Sequence, residues 1–113
     1  MTVVNPPPNY KALLDDVPFP LRWQPLRKDL DFIHFFPQSI VDLESGLAAY
    51  QDLLIPNGMI WVSWFKKTSG MQSDINEDLI RETALNLKLV DVKVCSVNDK
   101  YSALKLVIRK HLR

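Results

Sequence analysis

The sequence contains a single cysteine, Cys95, among its 113 residues. One cysteine cannot form a disulfide within the chain, and it excludes metal sites that are built from several cysteines. No apolar run approaches the roughly 18 residues that a membrane-spanning helix requires. The first residues contain neither the charged segment nor the long apolar segment of a secretory signal. These absences favour a cytoplasmic protein without a membrane anchor.

The sequence also has no excess of positive or negative charge. Lysine and arginine together number 14 and aspartate and glutamate 13, which gives a formal net charge of +1. This balance argues against non-specific binding to nucleic acid or to an anionic membrane surface, because both need a strongly basic protein. A hydrophobic fraction of 47% and a charged fraction of 24% are typical of a soluble globular protein. The length predicts one domain, residues 1–113, with one hydrophobic core.

The most informative pattern is a buried strand that ends in a basic loop. Residues 59–65 are apolar, β-branched or aromatic except for Ser63, which is typical of a strand covered on both faces. In open α/β sheets the loop that follows such a strand usually carries the binding site. Two ammonium groups, two hydroxyls and a glycine can together bind a phosphate or a carboxylate. The predicted anion-binding residues are Lys66, Lys67, Thr68, Ser69 and Gly70. The alternative is a solvated loop that only ends the strand.

Strands and helices are predicted to alternate along the chain. Ser39 and Asn76 have the side chains of helix N-caps, Asp42 lies in the capping-box position, and Ile75 and Ile80 have the spacing of a hydrophobic staple. The predicted strands cover residues 2–5, 21–24, 31–36, 59–65, 90–97 and 103–109, and the predicted helices cover 10–17, 39–54 and 76–88. This order predicts a three-layer α/β sandwich with a mostly parallel sheet of about six strands. The last two strands are predicted to form an antiparallel hairpin.

Parts of the chain resemble known families. Residues 31–34, 56–60 and 89–108 are similar to the carboxyl-terminal half of class I S-adenosylmethionine-dependent methyltransferases. Residues 61–70, 80–82 and 89–95 resemble a bacterial family of short proteins that consists of a domain of unknown function. The resemblance implies a truncated Rossmann-like, methyltransferase-like fold.

The sequence departs from those enzymes at two places. Their first strand ends in a glycine-rich loop, because the backbone must approach the cofactor without an intervening Cβ atom. The corresponding residues here, 5–9, contain three prolines and no glycine. The enzymes also have an acidic residue after the second strand, whereas here Gln24 is followed by proline and no carboxylate occurs before Asp29. Binding of S-adenosylmethionine is therefore disfavoured, and no other cofactor is predicted.

Several other residues could take part in catalysis or metal binding, but each has a simpler structural interpretation. Residues 5–10 resemble the Asn-Pro-Pro-Tyr element of amino-methyltransferases, but an additional proline changes the spacing and favours a rigid turn. His34 lies within an apolar strand and is expected to be a hydrogen-bonded core residue, and Cys95 is expected to be a small core residue. No cluster with the spacing of metal ligands is present. No catalytic residue is predicted.

Three functional hypotheses remain open. The sequence favours a non-catalytic methyltransferase-like domain that binds a small anion or a protein partner at the strand carboxyl ends. The alternatives are a divergent methyltransferase and a purely structural interaction module. The residues predicted to line the cleft are Asn5, Gln38, Ser39 and Trp64. An exposed strand at residues 21–24, or a helix face, is a candidate surface for a homodimer.

Overall fold

The computed structural model describes residues 2–5, 26–66, 74–97 and 100–112. The strands are β1 (Thr2–Val4), β2 (Leu30–Phe35), β3 (Leu54–Phe65), β4 (Leu89–Ser96) and β5 (Tyr101–Ile108). The helices are α1 (Ile40–Tyr50) and α2 (Glu77–Leu85), with short 3₁₀ turns at Gln51–Leu53 and Lys110–Leu112. The predicted helix at residues 10–17 and the predicted strand at 21–24 lie outside the described residues. None of the helices in these ranges is long and apolar enough to cross a membrane.

The strands form one mixed sheet in the order β1-β2-β3-β5-β4. β1, β2 and β3 are parallel, and β5 pairs antiparallel with both β3 and β4. The described sheet therefore has five strands instead of about six, and it is mixed instead of mostly parallel in its pairing. The reversed strand β5 is inserted between β3 and β4 because its apolar residues need cover on both sides. Five of its eight residues are buried, whereas β4 has only Leu89 buried.

Both described helices pack on the same face of the sheet. Leu43 and Leu47 of α1 and Ile80 and Ala84 of α2 belong to one buried cluster. The same cluster includes residues from the sheet, namely Leu30, Ile33, Phe35, Leu54, Ile60, Val62, Leu89, Leu104, Leu106 and Ile108. The described part of the chain thus forms two layers. The three-layer prediction needs cover on the second face, and the predicted helix for that position is not among the described residues.

Close packing of α1 on the sheet depends on a glycine. A Cβ atom added to Gly46 would lie 2.6 Å from Cζ of Phe35, which is fully buried. The Phe35 ring also contacts the Tyr50 ring edge-to-face, with a centroid distance of 5.1 Å and an interplanar angle of 87°. Gly46 therefore leaves the space in which the Phe35 ring packs between sheet and helix.

The helix starts were predicted correctly. The Ser39 hydroxyl accepts a hydrogen bond from the Asp42 amide at 3.0 Å, and the Asn76 side-chain oxygen accepts one from the Leu79 amide at 2.9 Å. Ile75 and Ile80 are both buried in the main cluster, which confirms the hydrophobic staple. Both helices end earlier than predicted. α1 continues as the 3₁₀ turn Gln51–Leu53, and α2 is followed by a turn at residues 86–88.

The predicted turn at residues 56–58 is an irregularity within β3 instead of its boundary. The pairing of β2 with β3 shifts between Leu30↔Leu54 and Phe32↔Met59, so that residues 55–58 interrupt the ladder. A Cβ atom on Gly58 would lie 3.0 Å from the carbonyl oxygen of Leu30. Glycine thus allows the two backbones to approach at the irregularity.

Candidate functional site

The carboxyl ends of the three parallel strands meet at one edge of the sheet. β1 is followed by Asn5, β2 by residues 36–39 and β3 by Lys66. We call the residues that follow each of these strands its exit. The Phe36 amide donates a hydrogen bond to the Val4 carbonyl at 3.0 Å, which joins the exits of β1 and β2. The prediction that these exits share an edge is confirmed for β1, β2 and β3.

Asp42 connects the exits of β1 and β2. Its Oδ2 accepts hydrogen bonds from Asn5 Nδ2 at 3.2 Å and from the Gln38 amide at 2.9 Å. The second contact resembles a capping box, except that the carboxylate accepts from the residue before the N-cap Ser39. Asn5 has a φ of 56°, a left-handed conformation that asparagine tolerates better than most residues. Three of the predicted cleft residues, Asn5, Gln38 and Ser39, are therefore brought together through Asp42.

Lys66 lies beyond β3 and reaches toward the antiparallel half of the sheet. Its backbone amide donates to the Lys100 carbonyl at 2.8 Å, and its Nζ donates to Ser96 Oγ at 2.5 Å. Ser96 lies opposite Ser102, and Ser102 lies opposite Trp64, so these three residues share one face of the sheet. The other predicted anion-binding residues, Lys67, Thr68, Ser69 and Gly70, lie outside the described residues.

An ammonium group, two serines and an indole therefore lie together at the carboxyl end of β3. Trp64 is half-buried and packs against the main core. Ser102 is half-buried and Ser96 is exposed. We call Lys66, Ser96, Ser102 and Trp64 the lysine–serine cluster. It lies on the helix-bearing face, where Asp42 also connects the exits of β1 and β2.

A second polar contact is buried on the opposite face of the sheet. His34 Nε2 and Ser63 Oγ are 2.6 Å apart, and the two residues are only 7% and 2% exposed. Burial lowers the pKa of His34 from 6.5 to about 4, because the charged imidazolium would lose its hydration. The imidazole is therefore neutral near pH 7 and shares a hydrogen bond with the serine hydroxyl.

Aromatic rings surround this pair toward the carboxyl end of the strands. The His34 ring stacks on Phe36 with centroids 4.4 Å apart, and Phe36 contacts Tyr101 edge-to-face at 5.5 Å. Tyr101 in turn stacks on Phe65 at 4.8 Å, and burial raises the pKa of its phenol. A serine beside a histidine is the arrangement of an activated nucleophile. However, a serine that is 2% exposed gives a substrate no access. The structure thus confirms that His34 is a hydrogen-bonded core residue.

Cys95 and the acidic residues that the structure describes do not form a further centre. Cys95 is half-buried and lies opposite Ala103, on the face that carries His34 and Ser63. Within the described ranges, no group of three or more histidine, cysteine, aspartate or glutamate residues is arranged to hold a metal ion.

Sequence reasoning did not identify Asp42, Ser63, Ser96 or Ser102 as site residues. A signal existed for Ser63, because it is the one polar residue in an apolar strand and the neighbouring apolar strand contains His34. Two isolated polar residues in adjacent buried strands indicate that they satisfy each other. Ser96 and Ser102 gave no such signal, because their contact with Lys66 depends on strand order.

No protein-family model matches the sequence, and no curated protein matches it. Among solved structures, the chain is similar to a TehB-like SAM-dependent methyltransferase from Corynebacterium glutamicum, with a TM-score of 0.55 and 14% sequence identity. The similarity covers 78% of this chain and 56% of that one, so the chain spans just over half the length of the methyltransferase. At this identity the likeness shows the fold alone. The chain has a mixed α/β fold similar to that of a methyltransferase.

Proposed function

We propose that this domain is non-catalytic and binds a small anion, a phosphate or a carboxylate, at the lysine–serine cluster. The observation that supports this function is the position of the Lys66 ammonium, 2.5 Å from Ser96 Oγ at the carboxyl end of β3. Ligands of open α/β sheets bind at this edge. Lys67, Thr68, Ser69 and Gly70 would contribute further donors to the same site.

The chemistry of the cluster suits an oxyanion. Ammonium and hydroxyl groups donate hydrogen bonds, and the oxygens of a phosphate or carboxylate accept them. Holding the ammonium in one place also reduces the conformational entropy that ligand binding would cost. The half-buried indole of Trp64 would contact an apolar part of the ligand, so an organic phosphate or carboxylate fits better than the inorganic ion.

We infer a non-catalytic role because the described side chains that could react are either buried or already hydrogen-bonded. Proton transfer or nucleophilic attack needs a pair of groups that a substrate can reach. In the described part of the chain, the serine–histidine contact between Ser63 and His34 is buried. The Asp42 carboxylate already accepts hydrogen bonds from Asn5 and from the Gln38 amide.

A divergent methyltransferase is the second candidate, because one structural neighbour is a SAM-dependent methyltransferase. Asn5 does adopt the left-handed backbone conformation that glycine favours after the first strand. Its side chain, however, extends to Asp42, in the region where a cofactor would need direct access to the backbone. The described residues at this exit therefore do not fit S-adenosylmethionine, and a non-catalytic site is preferred.

Thermal unfolding in the presence of ligands tests the proposal. Phosphate, citrate and phenyl phosphate at constant ionic strength should raise the melting temperature relative to chloride, because a ligand stabilises the state that it binds. The Lys66→Met variant should lose this increase. Lys105→Met is the matched control, since Lys105 lies on β5 opposite Trp61, away from the cluster, and this variant should keep the increase.

Three outcomes would overturn the anion-binding function. The first is the absence of a shift with every anion, and the second is an equal shift in wild type and Lys66→Met. The third is a larger shift with S-adenosylmethionine or S-adenosylhomocysteine, which would favour the divergent enzyme. Melting temperatures without ligand show whether each variant is folded.

A further inference from the structure

A groove of about 270 Å³ lies between α1 and α2, on the surface of the helix layer. It is lined by Glu44, Leu79, Glu82, Thr83, Asn86 and Leu87. Leu79 and Leu87 are half-buried and pack against the main core, so the floor of the groove is apolar. The Thr83 hydroxyl donates to the Leu79 carbonyl of its own helix at 2.8 Å and is therefore already engaged.

The two carboxylates of the groove differ from other acidic residues nearby. Glu77 and Asp78 both pair with Arg81, and Asp52 pairs with Lys88. Glu44 and Glu82 have no ion-pair partner among the residues that the structure describes. An apolar floor between two uncompensated carboxylates suits a segment that carries both a positive charge and an apolar side chain.

The chain itself has such a segment, the 3₁₀ turn Lys110–Leu112. All three of its residues are exposed, and Leu112 retains 47% of its accessible surface. Lys110 and the imidazole of His111 supply the basic groups, and Leu112 supplies the apolar side chain. The segment therefore complements the groove in charge and in hydrophobicity, but it does not fill the groove of its own molecule.

The segment lies beside one end of the groove, the end formed by Asn86 and Leu87. The Arg109 amide donates to the Lys88 carbonyl at 2.9 Å, and the Arg109 guanidinium donates to the carbonyls of Leu89 and Leu85. These contacts hold Lys110–Leu112 beside the turn that follows α2, and this turn contributes Asn86 and Leu87 to the groove. Leu85, at the end of α2, is 48% exposed at the same place.

From this arrangement we propose that the groove between α1 and α2 receives the Lys110–Leu112 segment of a second copy of this chain. Because groove and segment are adjacent, one two-fold axis places each segment on the groove of the other copy, which gives a closed dimer with two equivalent contacts. Lys110 then lies between Glu44 and Glu82, and Leu112 covers the leucine floor. The exposed Leu85 side chains become buried near the axis.

Sedimentation velocity over a micromolar to millimolar concentration range tests the dimer. The wild-type chain should show a concentration-dependent monomer–dimer equilibrium. Glu44→Lys with Glu82→Lys should weaken the dimer by at least about tenfold, and so should Lys110→Glu with His111→Glu, because each places like charges in contact. Asp74→Lys is the control, since this exposed carboxylate precedes the opposite end of α2 and its reversal should leave the dissociation constant unchanged.

Mixing the two double variants provides the decisive measurement. In the mixture the basic segment of one variant meets the acidic groove of the other, and the acidic segment meets the basic groove, so a heterodimer should form. A wild-type chain that stays monomeric at every concentration would overturn the proposal. The same holds for a dimer that both reversals leave unchanged, or for folded variants that do not associate when mixed. Binding of a basic peptide by a chain that remains monomeric would instead assign the groove to another protein.

Discussion

His34 Nε2 lies 2.6 Å from Ser63 Oγ, across two neighbouring parallel strands whose other inward residues are mostly apolar. The contact joins positions 29 residues apart in the sequence. Each residue compensates for the burial of the other, because a polar side chain in the interior is costly without a hydrogen bond. This dependence leads to two predictions on stability.

Replacing Ser63 with alanine should destabilise the protein by about 1–3 kcal/mol, because the buried imidazole loses its hydrogen bond to the serine. The free energy of unfolding from urea titrations measures the effect. Ser45→Ala is the control, since Ser45 is exposed on α1 and its hydroxyl only donates to the Val41 carbonyl of the same helix. This control should be neutral or slightly stabilising. Equal stability of the two variants would contradict a structural role for the Ser63 contact.

Stability should decrease as the pH falls from about 7.5 to about 5. The pKa of His34 is about 4 in the folded protein and 6.5 in the unfolded chain, so the unfolded state binds more protons in this interval. The linkage relation gives a loss of about 2 kcal/mol over these pH units. The His34→Asn variant should show a smaller pH dependence by this amount. Parallel pH profiles for wild type and His34→Asn would refute the lowered pKa.

Asp42→Ala should destabilise the protein by about 1 kcal/mol, because the change removes the acceptor for the Gln38 amide and for Asn5 Nδ2. Amide hydrogen exchange should also become faster at Gln38. Asp31→Ala, which changes an exposed carboxylate in β2, is the control and should leave both measurements unchanged. Unaltered exchange at Gln38 in Asp42→Ala would show that the carboxylate does not hold this exit.

Gly46→Ala should destabilise the protein by about 1 kcal/mol, even though alanine is the better helix former. The added methyl would lie 2.6 Å from the Phe35 ring, and overpacking of about 1–3 kcal/mol exceeds the roughly 1 kcal/mol gained in helix propensity. In a Phe35→Leu background the same change should become neutral or stabilising. A double-mutant cycle from urea titrations measures this coupling, and additive effects would contradict it.

The local parts of the fold could be predicted because their causes are local. Ser39 and Asn76 each bond to an amide three residues later, so a short sequence window contains the whole interaction. The antiparallel hairpin was also predictable, since only a short connection separates two apolar runs. The insertion of β5 between β3 and β4 is different, because strand order depends on which strand gains more from burial. The exposed residues of β4 around Lys93 indicate that β4 gains less from burial than β5. This difference is visible only when the two strands are compared.

The candidate site was predictable to a smaller extent. The edge at which the strand exits meet follows from parallel pairing, and Lys66 directly follows β3 at that edge. The contact between Lys66 and Ser96 depends on β5 lying between their strands and on the exact cross-strand register. Ser96 pairs with Ser102 in a register that is continuous back to Lys93, and the shift between Asp91 and Lys93 lies beyond it. No local pattern determines which strand lies between Lys66 and Ser96, and Ser96 was therefore missed.

The register shift in β4 also affects whether this strand can pair with a strand of another molecule at high protein concentration. β4 is the outermost strand on its side of the described sheet, and it presents Val92 and Val94 with 56% and 45% of their surfaces exposed. The extra residue between Asp91 and Lys93 bends the strand, so its outward amides and carbonyls do not form a straight template for another chain. Such a bend disfavours fibril growth by strand addition at this margin, even with two exposed valines.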